Sequence, residues 1–270
     1  VPVSIADAAF VRELVQRRSA IVLDEAKHYL IESRLESLTF ETGQSAAELV
    51  AQARNGIAGA DKRIVEAITT HETSFFRDWL PFEALKSFLP QLLKAREPGR
   101  TLTVWSAACS SGQEPFSLAI LLRDNISNIE NWKVRILATD LSEQVLIKAR
   151  EARFGQLEIN RGLPASMLVR HFEKDGRYWR PKEELRRMVE FRQLNLIDPW
   201  VLPFTPDIVF LRNVLIYFDV KTKQKILERV RNSMARDGAL FLGGAETTLG
   251  IHEGFDSITA GKTNFYRRRS

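Results

Sequence analysis

The stretch from Val104 to Ile120, VWSAACSSGQEPFSLAI, constrains the fold more than any other part of the chain. A short apolar strand, 102–105, runs into seven small residues and then into a helix carrying Glu114 and Pro115 in its first turn. Proline forfeits little there, because the first turn of a helix has unpaired N–H groups in any case. Small side chains let a ligand lie against the backbone, and a helix end presents free donors, so the stretch fits a nucleotide or nucleoside cradle. An ordinary strand-to-helix turn fits as well. Gly112 is the loop's only glycine, and neither a G-x-G-x-x-G nor a Walker pattern is present.

The second strand gives the cradle more weight. It is an apolar run, 134–138, that ends in Thr139-Asp140-Leu141-Ser142. In a parallel α/β sheet, a carboxylate at the end of the second strand can accept hydrogen bonds from both ribose hydroxyls. Asp140 could instead cap the helix expected over 143–152, a role open to Ser142 too. Strand, small-residue loop, helix and strand-end acid in that order favour a ligand-binding Asp140.

With 270 residues, 44% of them apolar and 27% charged, the chain can bury a proper core as one large domain or as a small one plus a medium one. No charged n-region leads into an apolar run and no run reaches membrane length, so a cytoplasmic protein is expected. The single cysteine, Cys109, leaves no internal disulfide, and His28, His71, His171 and His252 show no metal-ligand spacing, so no metal is expected. The net charge of +5 is uneven: the first 90 residues are slightly acidic and the remainder basic, most densely over 148–192. No zinc finger, RNA-binding signature or aromatic-basic interleaving accompanies that basic segment. A solvated face or a protein-docking surface is therefore expected in place of a nucleic-acid site.

Residues 1–65 read as helices, with Phe10, Leu14 and Val15, then Ile31, Leu35 and Leu38, at helical spacing. Lys27 and Arg34 fall on nearly one face, where they can snorkel at a core edge. Then comes ITTHETSFFRD, 68–78, which sets Thr, His and Glu beside a Phe-Phe pair and Arg77. Such a segment could line a cleft with Phe75 or Phe76 in the core and Thr73 and Arg77 facing a carboxylate, or it could serve simply as a linker. A helix over 79–95 leads into the sheet. Residues 154–190 break the alternation of strand and helix, and Asp175-Gly176 marks a hairpin in what is expected to be a small antiparallel insertion. Strands at 189–194, 207–211 and 239–243, a helix at 221–234 and a last strand at 263–267 complete a doubly wound α/β sheet of five helix-joined strands closed by a late hairpin. The expected organisation is a helical unit with its linker over 1–78 and a sheet-bearing unit over 79–270, the insertion falling at about 154–190.

Six segments, in order, resemble the CheR family of chemoreceptor methyltransferases. They are an all-helical N-terminal region, TT-x-x-T-x-FFR at 69–77, WSAA-x-S-x-G-x-EP-x-S at 105–117, the Thr139-Asp140 strand end, EF-x-x-x-NL at 190–196 and FLRNVLIYFD at 210–219. The resemblance covers almost the whole chain. It implies a Rossmann-like S-adenosylmethionine-dependent sheet with an antiparallel insertion, preceded by a helical domain. It also implies transfer of a methyl group to receptor glutamates, with S-adenosylhomocysteine as product.

By that resemblance, Thr73 and Arg77 in the linker and Glu114 meet the methionine part of the cofactor, His71 is a further cofactor-binding residue, and Asp140 holds the ribose. Asn195 and Leu196 lie on the adenine side, Arg212 and Asn213 line the pocket floor, and Tyr217 stands beside the transferring methyl, so that Arg77 and Tyr217 are the catalytic pair. His71 stands where the family often has Asn, and Gln113 where Glu is usual. The implied partner is the acidic helical bundle of a receptor's cytoplasmic part, met by a monomer with only peripheral membrane contact. The short hairpin argues against capture of a receptor's C-terminal pentapeptide. A glutamate of ordinary pKa, about 4.3, is already ionised at neutral pH, so the reaction needs alignment and drying and no general base. That agrees with the absence of any Ser-His or His-carboxylate pattern. A nicotinamide oxidoreductase, a non-catalytic adaptor and a nucleic-acid methyltransferase are the readings from other classes. The missing glycines, the intact site residues and the lack of a nucleic-acid motif weigh against them in turn.

Overall fold

A computed structural model describes residues 3–269, apart from the side chain of Lys27. Four helices open the chain: α1 (Ile5–Ser19), α2 (His28–Thr42), α3 (Ala46–Arg54) and α4 (Ala60–Ile68). Ser4 caps α1 by accepting from Asp7 N, and a Ser45/Glu48 capping box starts α3, each satisfying N–H groups that the helix leaves unpaired. The apolar stripes read from the sequence meet in one cluster, in which Val11, Leu14, Ile31, Leu35, Leu49 and Ile64 are buried. Lys27 ends a short 3-10 turn, Glu25–Lys27, ahead of α2. Its expected place beside Arg34 lies outside the described residues.

After the linker come α5 (Leu80–Arg96), β1 (Thr101–Ala107), α6 (Gln113–Asn125), β2 (Lys133–Asp140) and α7 (Glu143–Glu151). The insertion comes next, with α8 (Gln156–Asn160), α9 (Ala165–His171), β3 (Phe172–Asp175), β4 (Tyr178–Pro181) and α10 (Glu183–Arg186). The chain closes with β5 (Val189–Gln193), β6 (Ile208–Leu211), α11 (Val220–Ser233), β7 (Ala239–Leu242), β8 (Phe255–Ala260) and β9 (Thr263–Arg268). Seven strands form the main sheet in the order β5-β2-β1-β6-β7-β9-β8, the first five parallel to one another, β9 antiparallel to β7, and β8 antiparallel to β9.

The alternation of side chains along a strand divides the central strands between two cores. Leu102 and Val104 of β1, Ile208 and Phe210 of β6, and Phe241 of β7 face the layer of α5 and α6. Trp105 and Ala107, Val209 and Leu211, and Leu240 and Leu242 face the layer of α11. Being covered on both faces, these strands read as continuous apolar runs, as parallel strands do. From β1 the chain winds outward to β2 and β5, then returns to the other side of β1 with β6 and β7. The strand order therefore reverses beside β1, where a crevice opens beyond the carboxyl ends of the strands.

The insertion differs from the sequence expectation in composition. Its antiparallel pair is present, with Phe172 opposite Pro181 and Asp175 opposite Tyr178, but three short helices make up most of the rest. The two residues between the strands are Gly176 and Arg177, one step later than the Asp-Gly signal. Both linker phenylalanines are core residues, not one. Phe75 packs edge-on against Phe154 and Phe172 of the insertion, at 4.9 and 5.6 Å between ring centres, and Phe76 packs on Phe82 of α5 at 5.2 Å. The linker is thus wedged between insertion and sheet, with Phe76 N donating to Ser117 Oγ of α6 at 2.9 Å. The first arm of the closing hairpin, β8, is an edge strand in which Asp256, Ser257 and Thr259 interrupt the apolar residues, which hides it from an apolar-run reading.

Candidate active site

At the switch point, the loop leaving β1 takes left-handed backbone at Ala108 (φ 59°), Ser110 (φ 52°) and Gly112 (φ 98°). Left-handed non-glycine residues cost about 1 kcal/mol or more each and persist where the surroundings over-determine them. Here the surroundings are identifiable. Cys109 N donates to Thr139 O at 2.9 Å, and Ser110 N donates to Asp140 Oδ2 at 2.8 Å. Ser110 Oγ donates to His71 O at 2.7 Å, which joins loop to linker. A Cβ on Gly112 would stand 3.2 Å from Ala149 Cβ, so the small residue lets the loop lie against α7.

Asp140 does not cap α7. Ser142 does that, by accepting from Val145 N at 3.4 Å, while Asp140 Oδ1 accepts from Ser142 N at 3.0 Å. Two amides thus hold a carboxylate that is only 7% exposed, and a carboxylate has acceptor positions for about two further donors. Burial pushes the Asp140 carboxyl above its ordinary range, against the amides of Ser142 and Ser110 and the charge of His71.

Opposite lies a buried ion pair. Arg212, at the end of β6, donates from Nη1 to Glu114 Oε2 at 2.9 Å, and from Nη2 to Arg77 O at 2.6 Å and to Asp78 Oδ2 at 3.1 Å. Ser106 Oγ donates to the other Glu114 oxygen at 2.8 Å. Burial also pushes the Glu114 carboxyl up, although Arg212 and Ser106 pull it down. The Nε of Arg212 is buried without a hydrogen-bond partner among the described residues. Cys109 is no thiolate nucleophile, since burial, with Asp140 and Glu114 nearby, pushes its thiol well up.

Between these groups is a cavity of about 140 Å³. Every residue singled out from the sequence lines it: His71, Thr73 and Arg77 from the linker, Glu114 from α6, Asp140 from β2, Asn195 and Leu196 after β5, Arg212 and Asn213 after β6, and Tyr217. Two of them also bond to the main chain. Arg77 pairs with no carboxylate among the described residues; its Nη1 donates to the main-chain oxygen of Glu72 at 2.7 Å. Asn195 sends its amide to Arg18 O at 2.9 Å, toward the end of α1. That contact belongs to a wall the sequence did not announce. Ser19, the last residue of α1, and Ile21, Val22 and Leu23 beyond it line the same cavity, and Val22 N donates to Tyr217 O at 2.9 Å. The apolar triplet 21–23 just beyond a helix end was the only signal for it.

The arrangement suits a ligand that carries positive charge toward Glu114, presents hydroxyls to Asp140, and has a flat apolar part to lie on Leu141, Leu194 and Leu196. A doubly wound sheet with these groups at its switch point is that of a Rossmann-like protein that takes a nucleoside-bearing ligand. The sequence pattern of the CheR methyltransferase SAM-binding domain matches residues 71–263, so the class is an S-adenosylmethionine-dependent methyltransferase. Chemotaxis protein methyltransferase 1 of Pseudomonas aeruginosa is 39% identical over 98% of both chains. Chemotaxis protein methyltransferase Cher2 of Pseudomonas putida is 38% identical over 96% of both, and a chemotaxis protein methyltransferase of Vibrio parahaemolyticus is 35% identical over 94% of this chain and 93% of that one. The chain belongs to the CheR methyltransferase family.

Proposed function

We propose that the chain transfers a methyl group from S-adenosylmethionine to glutamate side chains of chemoreceptors, giving glutamyl methyl esters and S-adenosylhomocysteine during adaptation in chemosensory signalling. The observation that carries this reading is the convergence of ten residues, from five separate segments, on one cavity at the switch point. The names of the relatives support a chemotaxis role, and the Glu114 and Asp140 carboxyl groups lining the cavity support a donor that bears an amino group and hydroxyls.

When bound, the cofactor supplies a methyl group on a positively charged sulfur, open to attack by an anion. In this reading Asp140 holds the ribose hydroxyls with the acceptor positions that Ser110 and Ser142 leave free. Glu114, kept in place by Arg212 and Ser106, faces the amino group, and His71 and Thr73 flank the methionine part. Leu196 and Asn195 border the adenine. Asn213 completes the floor, while Arg77 and Tyr217 align the incoming carboxylate. No side chain has to move a proton, because that carboxylate is already ionised at neutral pH. Alignment of two reactants can supply about 7–11 kcal/mol in well-oriented cases, and the apolar walls from Ile21 to Leu23 and at Leu196 keep water out.

Residues 1–78 would form a helical domain with its linker and 79–270 the transfer domain. The partner would be the acidic helical bundle of the receptor's cytoplasmic part, approached by a cytoplasmic monomer. The test is incubation of the purified chain with radiolabelled S-adenosylmethionine and membranes bearing chemoreceptors. Label should appear in the receptor band and leave it as methanol in alkali. Label that resists alkali, or no measurable uptake of donor or product by the purified protein, would overturn the reading.

A further inference from the structure

Glu246 does not line the cavity, yet it organises one corner of it. It lies in the turn that leaves β7, where its own N–H donates to Gly243 O at 2.9 Å. Its side chain folds back over that turn and reaches the neighbouring loop after β6. Oε2 accepts from Asn213 N at 2.7 Å and Gly243 N at 2.8 Å. Oε1 accepts from Val214 N at 2.9 Å, Leu215 N at 2.7 Å and Ile216 N at 3.3 Å. Five amides therefore converge on one half-buried carboxylate, more donors than its roughly four acceptor positions can take singly.

The segment held in this way is irregular and short. Asn213 is left-handed (φ 57°), and a single 3-10 turn, Leu215–Tyr217, comes after it. The first N–H groups of such a turn have no partner within it, so a carboxylate from outside decides where it sits. The corner is also closed tightly. A Cβ on Gly243 would stand 2.8 Å from both Asn213 Nδ2 and Glu246 Oε2, closer than such atoms pack. The loop after β6 and the loop after β7 are thus joined around one anion, and the last residue of the turn it starts is Tyr217.

We propose that Glu246 is a positioning residue: through the amides of Asn213–Ile216 it sets where Tyr217 stands at the cavity, and so governs turnover more than cofactor affinity. The inference rests on the alignment role given to Tyr217 in the proposed transfer.

Glu246→Gln keeps the shape but turns an NH2 group against amides that need an acceptor. In the full-length chain, with folding checked by thermal melting, it should lower kcat about 10–100-fold, since displacements of an ångström can cost that much. Affinity for S-adenosylhomocysteine by calorimetry should stay within about threefold, and in a Tyr217→Phe background the added loss should shrink to about threefold or less, because contacts acting through one another are not additive. Amide exchange at 214–216 should quicken in Glu246→Gln, and this is read without any methyl acceptor. A folded Glu246→Gln chain with wild-type kcat, a loss that multiplies in full with that of Tyr217→Phe, or unchanged exchange at 214–216 would each overturn the inference. A wild-type chain that binds the product but labels no receptor would count against the proposed function alone, with the exchange measurement still deciding for Glu246.

Discussion

Arg212 and Glu114 meet across 2.9 Å in a site where the arginine side chain is 1% exposed and the glutamate side chain 12%. One comes from the end of β6 and the other from the start of α6, so the pair joins the two sides of the switch point. The same guanidinium holds the linker through Arg77 O and Asp78. Removing one partner of a buried pair leaves an uncompensated charge, at a cost of about 3–5 kcal/mol. Arg212→Met should therefore lower the urea midpoint of unfolding by a corresponding amount. A midpoint equal to that of the wild type would mean the pair contributes nothing.

Asp140→Ala should chiefly weaken cofactor binding. A hydrogen bond to a charged group is worth about 1.5–3 kcal/mol, which converts to roughly 10–150-fold in affinity for S-adenosylhomocysteine. Calorimetry decides this, and unchanged affinity would take Asp140 out of the site. The Ser110 and Ser142 amides also lose their acceptor, so the loop after β1 should exchange its amide protons faster in the variant.

Tyr217→Phe should reduce kcat by about tenfold or more with the cofactor Kd nearly unchanged, the pattern of an interaction made in the transition state. Steady-state and binding measurements on one preparation separate the two quantities. Transfer at the wild-type rate would leave Tyr217 a packing residue.

Burial raises both Glu114 and Asp140, and this gives opposite pH trends for folding and binding. The folded, ligand-free chain holds these protons more tightly than the unfolded chain does. Its stability should therefore fall as pH rises from the ordinary carboxylate range through the raised values. A cationic ligand favours the ionised acids, so S-adenosylmethionine affinity should fall as pH drops through that window, with proton release on binding inside it. Calorimetry in buffers of different ionisation enthalpy reads both effects. A flat affinity down to the ordinary carboxylate range would contradict them.

Gly162→Ala should destabilise the contact between insertion and linker. Gly162 is left-handed (φ 102°), and a Cβ there would lie well inside van der Waals contact of Phe75 O. Backbone strain and the clash together should cost at least about 2 kcal/mol, measured as a lowered Tm. Because Phe75 anchors the segment that carries His71, Thr73 and Arg77, product affinity should fall as well.

Local order along the chain was enough to read the strand, loop and helix around Gly112, the acid at the end of β2, the helical opening and the five parallel strands. Each rests on a periodicity or a turn preference carried by neighbouring residues. The ten cavity residues were identifiable chiefly because their short segments resemble those of the CheR family. The partners of those residues were not. Glu114 reads as a helix-start acid until Arg212, far along the chain, arrives beside it, and Glu246 reads as a loop carboxylate until five amides from two strand-end loops surround it. The wall from Ser19 to Leu23 and the wedging of Phe75 between insertion and sheet are of the same kind. The sequence determined by itself the helical opening, the five parallel strands and which residue types stand at the strand ends, because those depend on the backbone and near neighbours. The tertiary structure alone decided which charges are paired, which carboxylates are driven up by burial and which amides find an acceptor, because desolvation and hydrogen bonding depend on groups brought together from distant parts of the chain.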